Sequence, residues 1–427
     1  MEGAVHVSGI PEFVRDNPSI CAACKGVKHL CGKSPCPLLK MVAESLGSVP
    51  ASSGSVSAMS PPSAFVGEYG YPFVGAGPLI PGAGSEVSPE DPASWLSMDF
   101  PRLVQMRVGL MRTSRRVFVG SPFGDTELEK TQELAMSHTS VGAELRIGKL
   151  VSRAPSFSFY SPPMGPTASL ERILSVENPH VPRVTEKVVY DRDLKASEAL
   201  VELWKTGLNE HYIHRLLSLG MLGVSTRRKL VPTRWSITAV DDTASKALLT
   251  RVRNMPLLSE YLTGSFYALG NRFSVLLLPE EWRFEFLESW LPFTGRVDDG
   301  SGTVPSDFEE FEGRTTYASN TAGAYYAARL AVAQKLADMK RQSGAIVFME
   351  VDSGWIAPLG VWRVREGVRA ALTRLERHDS MDAALTKVVT GFQTQRPTWL
   401  RSSVILTRKR KTIPLDRFLY RHYETET

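Results

Sequence analysis

The chain carries four cysteines, and all of them lie between Cys21 and Cys36. They are Cys21, Cys24, Cys31 and Cys36, a C-x2-C-x6-C-x4-C spacing. Thiolates are the softest donors a protein has, and four of them match the tetrahedral shell that zinc prefers. The C-x2-C pair makes a tight chelating turn, and Gly26 follows it where the backbone must bend. Four thiolates leave no open position for water, so a zinc ion held here is structural and not catalytic. An iron–sulfur cluster also takes four cysteines, and unpaired or redox-active thiols or two disulfides are further arrangements. The N-terminus has no basic stretch followed by an apolar one, which argues against export and so against disulfides. The residues favour zinc, and they make 1–44 a small four-cysteine zinc knuckle with Lys25, Lys28 and Lys33 around it. Gly26 to Ser34 resembles a phosphate-binding loop, but five residues separate Gly26 from Gly32 where that motif has four, and no apolar strand precedes it.

Two further stretches carry residues suited to nucleic acid. Residues 225–235 contain Arg227, Arg228, Lys229, Arg234 and Trp235, the densest basic stretch in the middle of the chain. Such cations pair with phosphates and an indole stacks on a base, although a charge run also serves as a solvated loop. Residues 61–72 alternate aromatic residues with glycine: Phe65, Gly67, Tyr69, Gly70, Tyr71. This pattern suits either an irregular loop packed on the core or a platform for bases.

Two side-chain pairs invite a metal reading. His211 and His214 share a helix face at i, i+3, but the H-E-x-x-H spacing is absent, and ordinary helix-face histidines are the simpler reading. Glu350 and Asp352 point to one side of a strand end, as in a metal-dependent nuclease, which needs further carboxylates from elsewhere.

The tail holds a second candidate motif. Thr407 to Lys411 is basic and leads into Thr412, Leu415, Phe418 and Leu419. One helical turn places Leu415, Phe418 and Leu419 on one side, an apolar plug for a partner's groove or for the protein's own core. The pattern resembles the box by which replication and repair proteins hold the DNA sliding clamp, Q-x-x-L-x-x-F-F/L. Thr412 stands where Gln is usual.

The rest of the chain must position these groups. Its 427 residues suggest two or three domains, and 43% apolar residues permit a sizeable core. A net charge of +5 is compatible with a nucleic-acid partner without requiring one. No apolar run approaches the ~18–20 residues of a membrane span, and a cytoplasmic protein is expected. The fold class expected is α/β or α+β, with mixed sheets and flanking helices beside the zinc knuckle. Strands are expected at 115–120, 141–151, 183–190, 234–239, in the first part of 264–290, and at 345–352. Helices are expected after Asp125, from Asp193 to Gly207, from Asn209 to Gly220, from Asp241 or Asp242 to about 253, near Glu280, over 321–342 and over 364–377. The two helices around Asn209 look like a helix-turn-helix, but the second has few side chains suited to bases, so a plain helical hairpin is expected. The chain then divides into the knuckle (1–44), a Ser/Gly/Pro-rich linker with the aromatic loop (45–96), an α/β core (97–297), a C-terminal α/β region (303–405) and the tail (406–427). The break falls at the Gly/Asp-rich run 298–302.

Several stretches together are similar to one family. The cysteine knuckle, the Pro-Pro-Ser-x-Phe-Val-Gly-x-Tyr-Gly-Tyr-Pro run at 61–72, the Ser-Pro-Pro-Met-Gly-Pro loop at 161–166, the 225–235 run and the clamp-box-like tail resemble, in that order, the archaeal Nre DNA repair proteins. The resemblance covers nearly the whole chain. It implies a DNA-damage repair factor that binds the sliding clamp PCNA through Thr412, Leu415, Phe418 and Leu419. It carries over no catalytic activity. The alternatives are a metal-dependent DNA-processing enzyme using Glu350 and Asp352, and an RNA-binding module.

Overall fold

The computed structural model describes Lys40 and residues 53–82, 90–291, 303–352, 354–355 and 357–411. All four cysteines, and Thr412, Leu415, Phe418 and Leu419 of the expected clamp box, lie outside the described residues.

The first half opens with β1 (Gly54–Ser60), β2 (Ala64–Val66) and β3 (Phe73–Pro81). Helices α1 (Pro92–Trp95) and α2 (Phe100–Val108) follow, then β4 (Leu110–Phe118), α3 (Thr126–Met136), β5 (Val141–Ser152) and β6 (Thr167–Val176). These strands form one mixed sheet in the order β1-β5-β6-β4-β3-β2. Only the β4–β6 pairing is parallel. Asp125 caps α3 as its position predicts, accepting from the amides of Glu127 and Leu128 at 3.0 Å each. Leu134 of that helix packs with Ile80, Met111, Leu145 and Ile173 of the sheet.

Four helices link the two sheets: α4 (Arg183–Tyr190), α5 (Ala196–Lys205), α6 (Glu210–Ser218) and α7 (Thr233–Val252). The second sheet then forms from β7 (Tyr261–Ala268), β8 (Asn271–Leu278), β9 (Arg283–Trp290) and β10 (Ser306–Glu309). Helix α8 (Gly323–Met339) precedes β11 (Gly344–Val351), which α9 (Trp362–Ala371), β12 (Glu376–His378), α10 (Met381–Val389), α11 (Arg396–Ser402) and α12 (Val404–Lys411) follow. The order is β10-β9-β11-β8-β7-β12, with β11 parallel to β9 and antiparallel to β8. Every residue of β11 is buried, because helices cover both faces of this sheet. No described helix is long and apolar enough to cross a membrane.

The mixed α/β class is as expected, but four local expectations are corrected. Residues 183–190 are helix α4, whose buried Thr185, Val188 and Val189 follow a helical spacing. Residues 234–239 open helix α7. Its β-branched Ile237, Thr238 and Val240 imitate a strand, yet Thr233, Ser236, Ile237, Val240, Asp241 and Ala244 are buried with a period near 3.6. The helix expected near Glu280 is strand β9, whose near-continuous burial hides the alternation of a strand. Residues 54–60, expected as linker, are strand β1, paired with Val141 to Ile147 and turning Val56 and Ala58 onto the core.

Candidate nucleic-acid interface

Residues 61–72 supply the first strand and the tip of a β-hairpin whose second strand is β3. Ala64 to Val66 pair with Pro78 to Ala76, and residues 67–72 make the tip. The amide of Phe73 bonds to the carbonyl of Gly70 at 2.9 Å. Gly70 has φ +82, and a Cβ there would sit 2.8 Å from the Phe73 oxygen, so the turn requires glycine. The tip thrusts its aromatics outward: Tyr69 is 95% exposed and Tyr71 53%. The packed-loop alternative therefore holds for the strands and fails at the tip.

The basic run meets this hairpin. Residues 225–227 are a short 3-10 turn, and the following residues alternate between outside and inside. Arg227 and Lys229 are exposed, whereas Arg228 is buried. The Arg228 guanidinium donates to the carbonyls of Gly223 at 2.6 Å, Val189 at 2.8 Å and Asp191 at 2.6 Å. The expectation of a phosphate contact at Arg228 is thereby corrected: this side chain ties the 223–230 segment to the end of α4. Thr233, the first residue of α7, accepts from the Val66 amide at 2.9 Å and fastens the helix to the hairpin. Trp235 then packs against Tyr71, with ring centroids 5.5 Å apart, and stays 47% exposed.

A third segment closes the site. Tyr160 stands just before the Ser161 to Pro166 loop. Arg234 donates to its hydroxyl at 2.9 Å and lies over its ring at 4.0 Å, while facing Glu68 of the hairpin at 3.4 Å. Burial works against the Arg234 charge, but Tyr160 and Glu68 outweigh it and raise its pKa, so it is a permanent cation. Tyr160 is held by the chain near α9: its carbonyl accepts from the Val361 amide at 3.0 Å. Gly360, at φ +94, lies so close that a Cβ would sit 2.7 Å from the Ser161 carbonyl carbon. Tyr317 stacks on Tyr326 with centroids 5.5 Å apart and remains 51% exposed. Burial, and then Tyr160 and Tyr326 beside it, push the Tyr317 phenol up to about 12, so it remains a neutral hydroxyl.

Together these residues enclose a cleft of ≈ 390 Å³ lined by Tyr160, Arg234, Trp235, Thr238, Asp242 and Tyr317, with Ala239 and Tyr326. Arg234, Trp235, Thr238 and Asp242 come from one face of α7. Asp242 is paired with Lys246 at 2.7 Å and with Arg329. Exposed aromatics continue along the hairpin from Tyr71 to Phe73, which packs on Phe118 at 5.2 Å with Arg116 above it.

The other sequence candidates stand apart. His211 and His214 are buried, with His214 Nε2 3.1 Å from His211 Nδ1 and His211 Nε2 2.5 Å from Glu90. Glu90 bonds in turn to Arg107 at 2.5 Å. Burial lowers both histidine pKa values, so both rings are neutral. They form a chain of partners inside the core, not a convergent ligand set. The Glu350 carboxylate accepts from the amides of Gln393 at 2.9 Å and Thr394 at 2.7 Å, and Asp352 accepts from the Gly354 amide at 2.8 Å. Among the described residues no group of three or more metal-binding side chains is gathered. Ahead of the tail, Glu285 of β9 accepts from the Ser403 hydroxyl at 2.5 Å and from the Val404 amide at 2.7 Å, which seats α12 on the core. Arg408 and Lys409 of α12 pair with Glu310 and Glu280.

The class of protein is thus a mixed α/β chain whose described residues form two six-stranded sheets, with an exposed aromatic and arginine cleft lined by three segments distant in the chain: Tyr160, α7, and Tyr317 with Tyr326. The archaeal Nre N-terminal family model matches residues 30–295, and the archaeal Nre C-terminal model matches 309–418. The chain belongs to the archaeal Nre family. It is 39% identical over 370 residues to the DNA repair protein NreA of Archaeoglobus fulgidus, covering 86% of this chain and 92% of that one. It is 34% identical over 393 residues to NreB of the same organism, covering 92% and 98%. It is 36% identical over 324 residues to NreA of Haloferax volcanii, covering 73% and 76%. No solved structure gives a significant match.

Three of the runs that carried the family resemblance, 61–72, 161–166 and 225–235, meet at or beside this cleft. Tyr317, Tyr326 and Asp242 were missed by sequence reasoning. Each lies in an ordinary context along the chain and acquires its role only by packing beside Tyr160 and Arg234.

Proposed function

We propose that this chain is a DNA-repair factor that contacts DNA at the aromatic and arginine face and is held to the replication machinery by its tail. The observation that carries this reading is the meeting of Trp235 with Tyr71 and of Arg234 with Tyr160 and Glu68. Arginine pairs with phosphate and exposed rings stack on bases, the two recurring ingredients of nucleic-acid contact. Arg227 and Lys229, exposed beside α7, extend the cationic edge. Relatives named DNA repair proteins, aligned over most of the chain, support the process.

The clamp partner is PCNA, taken by Thr412, Leu415, Phe418 and Leu419 as an apolar plug. Thr412 follows directly on α12, which Glu285, Glu310 and Glu280 hold to the body. Such a tether raises the effective concentration of DNA at a weak cleft. Zinc at Cys21, Cys24, Cys31 and Cys36 is a scaffold in this reading. Elemental analysis should find one zinc per chain, lost in Cys24→Ser.

Calorimetric titration of PCNA with the full chain and with Phe418→Ala tests the tether. Micromolar binding that Phe418→Ala abolishes supports it, and equal binding by both overturns it. The nuclease alternative is weaker, because the Glu350 carboxylate is already occupied by two backbone amides.

A further inference from the structure

The cleft is better suited to an unstacked base than to an intact duplex. Its volume of ≈ 390 Å³ falls in the range of about 300–1,000 Å³ typical of small-ligand sites. That is room for a nucleotide and far too little for a double helix. Trp235 and Tyr317 both line this cleft, and each is about half exposed. In a duplex the faces of the bases are covered by their neighbours, so aromatic walls find no partner there. In an opened strand each base presents a face that any aromatic ring can cover.

Charge points the same way. A reader of duplex backbone needs a surplus of cations. Here Arg234 faces Glu68 at 3.4 Å, and Asp242 is matched by Lys246 and Arg329. The site is nearly balanced, so stacking must supply much of any affinity. Thr238 and Asp242 add polar groups to the lining. Tyr69 and Tyr71 at the hairpin tip extend the aromatic surface for neighbouring bases.

We infer that the cleft between Trp235 and Tyr317 receives one unstacked base of single-stranded or locally opened DNA, so that the protein engages DNA where the strands are parted. The inference rests on the DNA-contacting reading above and narrows its substrate.

Fluorescence anisotropy of the full chain at one stated salt concentration tests it. The probes are labelled oligothymidylate, longer than the about 4–16 nucleotides of a common single-strand site, and a blunt duplex of equal length. The single strand should bind at least about tenfold more tightly than the duplex. Trp235→Ala and Tyr317→Ala should each weaken single-strand binding by about 5- to 100-fold, the worth of one base–aromatic stack. Trp235→Phe should retain most of the affinity, and Tyr190→Ala, at a 74% exposed tyrosine elsewhere, should change nothing. Unaltered circular dichroism spectra and melting temperatures show that the variants fold. Wild-type affinity in both alanine variants overturns the inference, as does a preference for duplex. If duplex binds well and Trp235→Ala is silent, the inference falls and DNA contact stands. If no DNA binds, both fall. Tighter binding of oligouridylate than of oligothymidylate overturns the assignment to DNA.

Discussion

The buried charges near α6 show how individual residues with similar side chains take opposite roles. Glu210 and Asp241 both face Arg365, and both are buried. Burial would raise Glu210, but Arg365 and Arg369 outweigh it and hold it at about 2. Burial raises Asp241 to about 6, and Arg365 only partly opposes it. Glu210 is therefore an ion the fold wants, while Asp241 is an ion the fold tolerates. The linkage signs differ accordingly. Glu210 lies below its unfolded value of about 4.3, so its contribution is full above that pH and is lost as pH falls through about 2. Asp241 lies above its unfolded value of about 3.9, so its contribution is full below that pH and is lost as pH rises through about 6. Glu210→Gln should cost about 3–5 kcal/mol at pH 7, the usual result of breaking a buried pair. Asp241→Asn should cost clearly less and should flatten the stability curve between about pH 4 and 6. Urea unfolding of the two variants across pH checks this, and equal costs at pH 7 would refute it.

At the scale of elements, the cleft depends on segments that do not line it. The chain at 359–361 lies against Tyr160 and Ser161, and Gly360 permits that approach. Alanine there meets both a positive φ and carbonyl atoms within 3 Å. Gly360→Ala should cost about 1–3 kcal/mol and, by shifting Tyr160 away from Arg234, should weaken binding at the cleft. Thermal melting read beside anisotropy checks both. A loss of stability with wild-type binding would show that Tyr160 does not need this support. The same dependence explains the expectations that failed. Helices α4 and α7 are rich in β-branched residues, whose local preference is for strands, yet each buries a helical stripe. Strand β9 is covered on both faces, so the alternation that betrays a strand is absent.

In the whole molecule, the family's two regions are not two independent layers. The N-terminal region supplies β8 and β9, neighbours in the chain, and β11 of the C-terminal region lies between them. A chain cut near residue 300 therefore lacks its fully buried central strand. Residues 1–300 alone should fail to melt cooperatively, and co-expression with 303–427 should restore a single transition. Cooperative melting of the first fragment alone would contradict this. Much was legible from the chain by itself. The family was readable because its motifs are local runs of defined spacing. The mixed class was readable from hydrophobic periodicity, and the ends of α3 and α6 from Asp125 and Asn209, because a side chain caps the amides two or three residues on. The basic run and the aromatic loop were visible as candidates, but not that Arg228 points inward while Arg234 and Trp235 join Tyr71, Tyr160 and Tyr317. Nor did any run of residues signal that β11 enters between β8 and β9. Those outcomes were decided by tertiary structure, because a side chain's direction and neighbours follow from which distant surfaces bury each other, and that competition is settled over the whole chain at once.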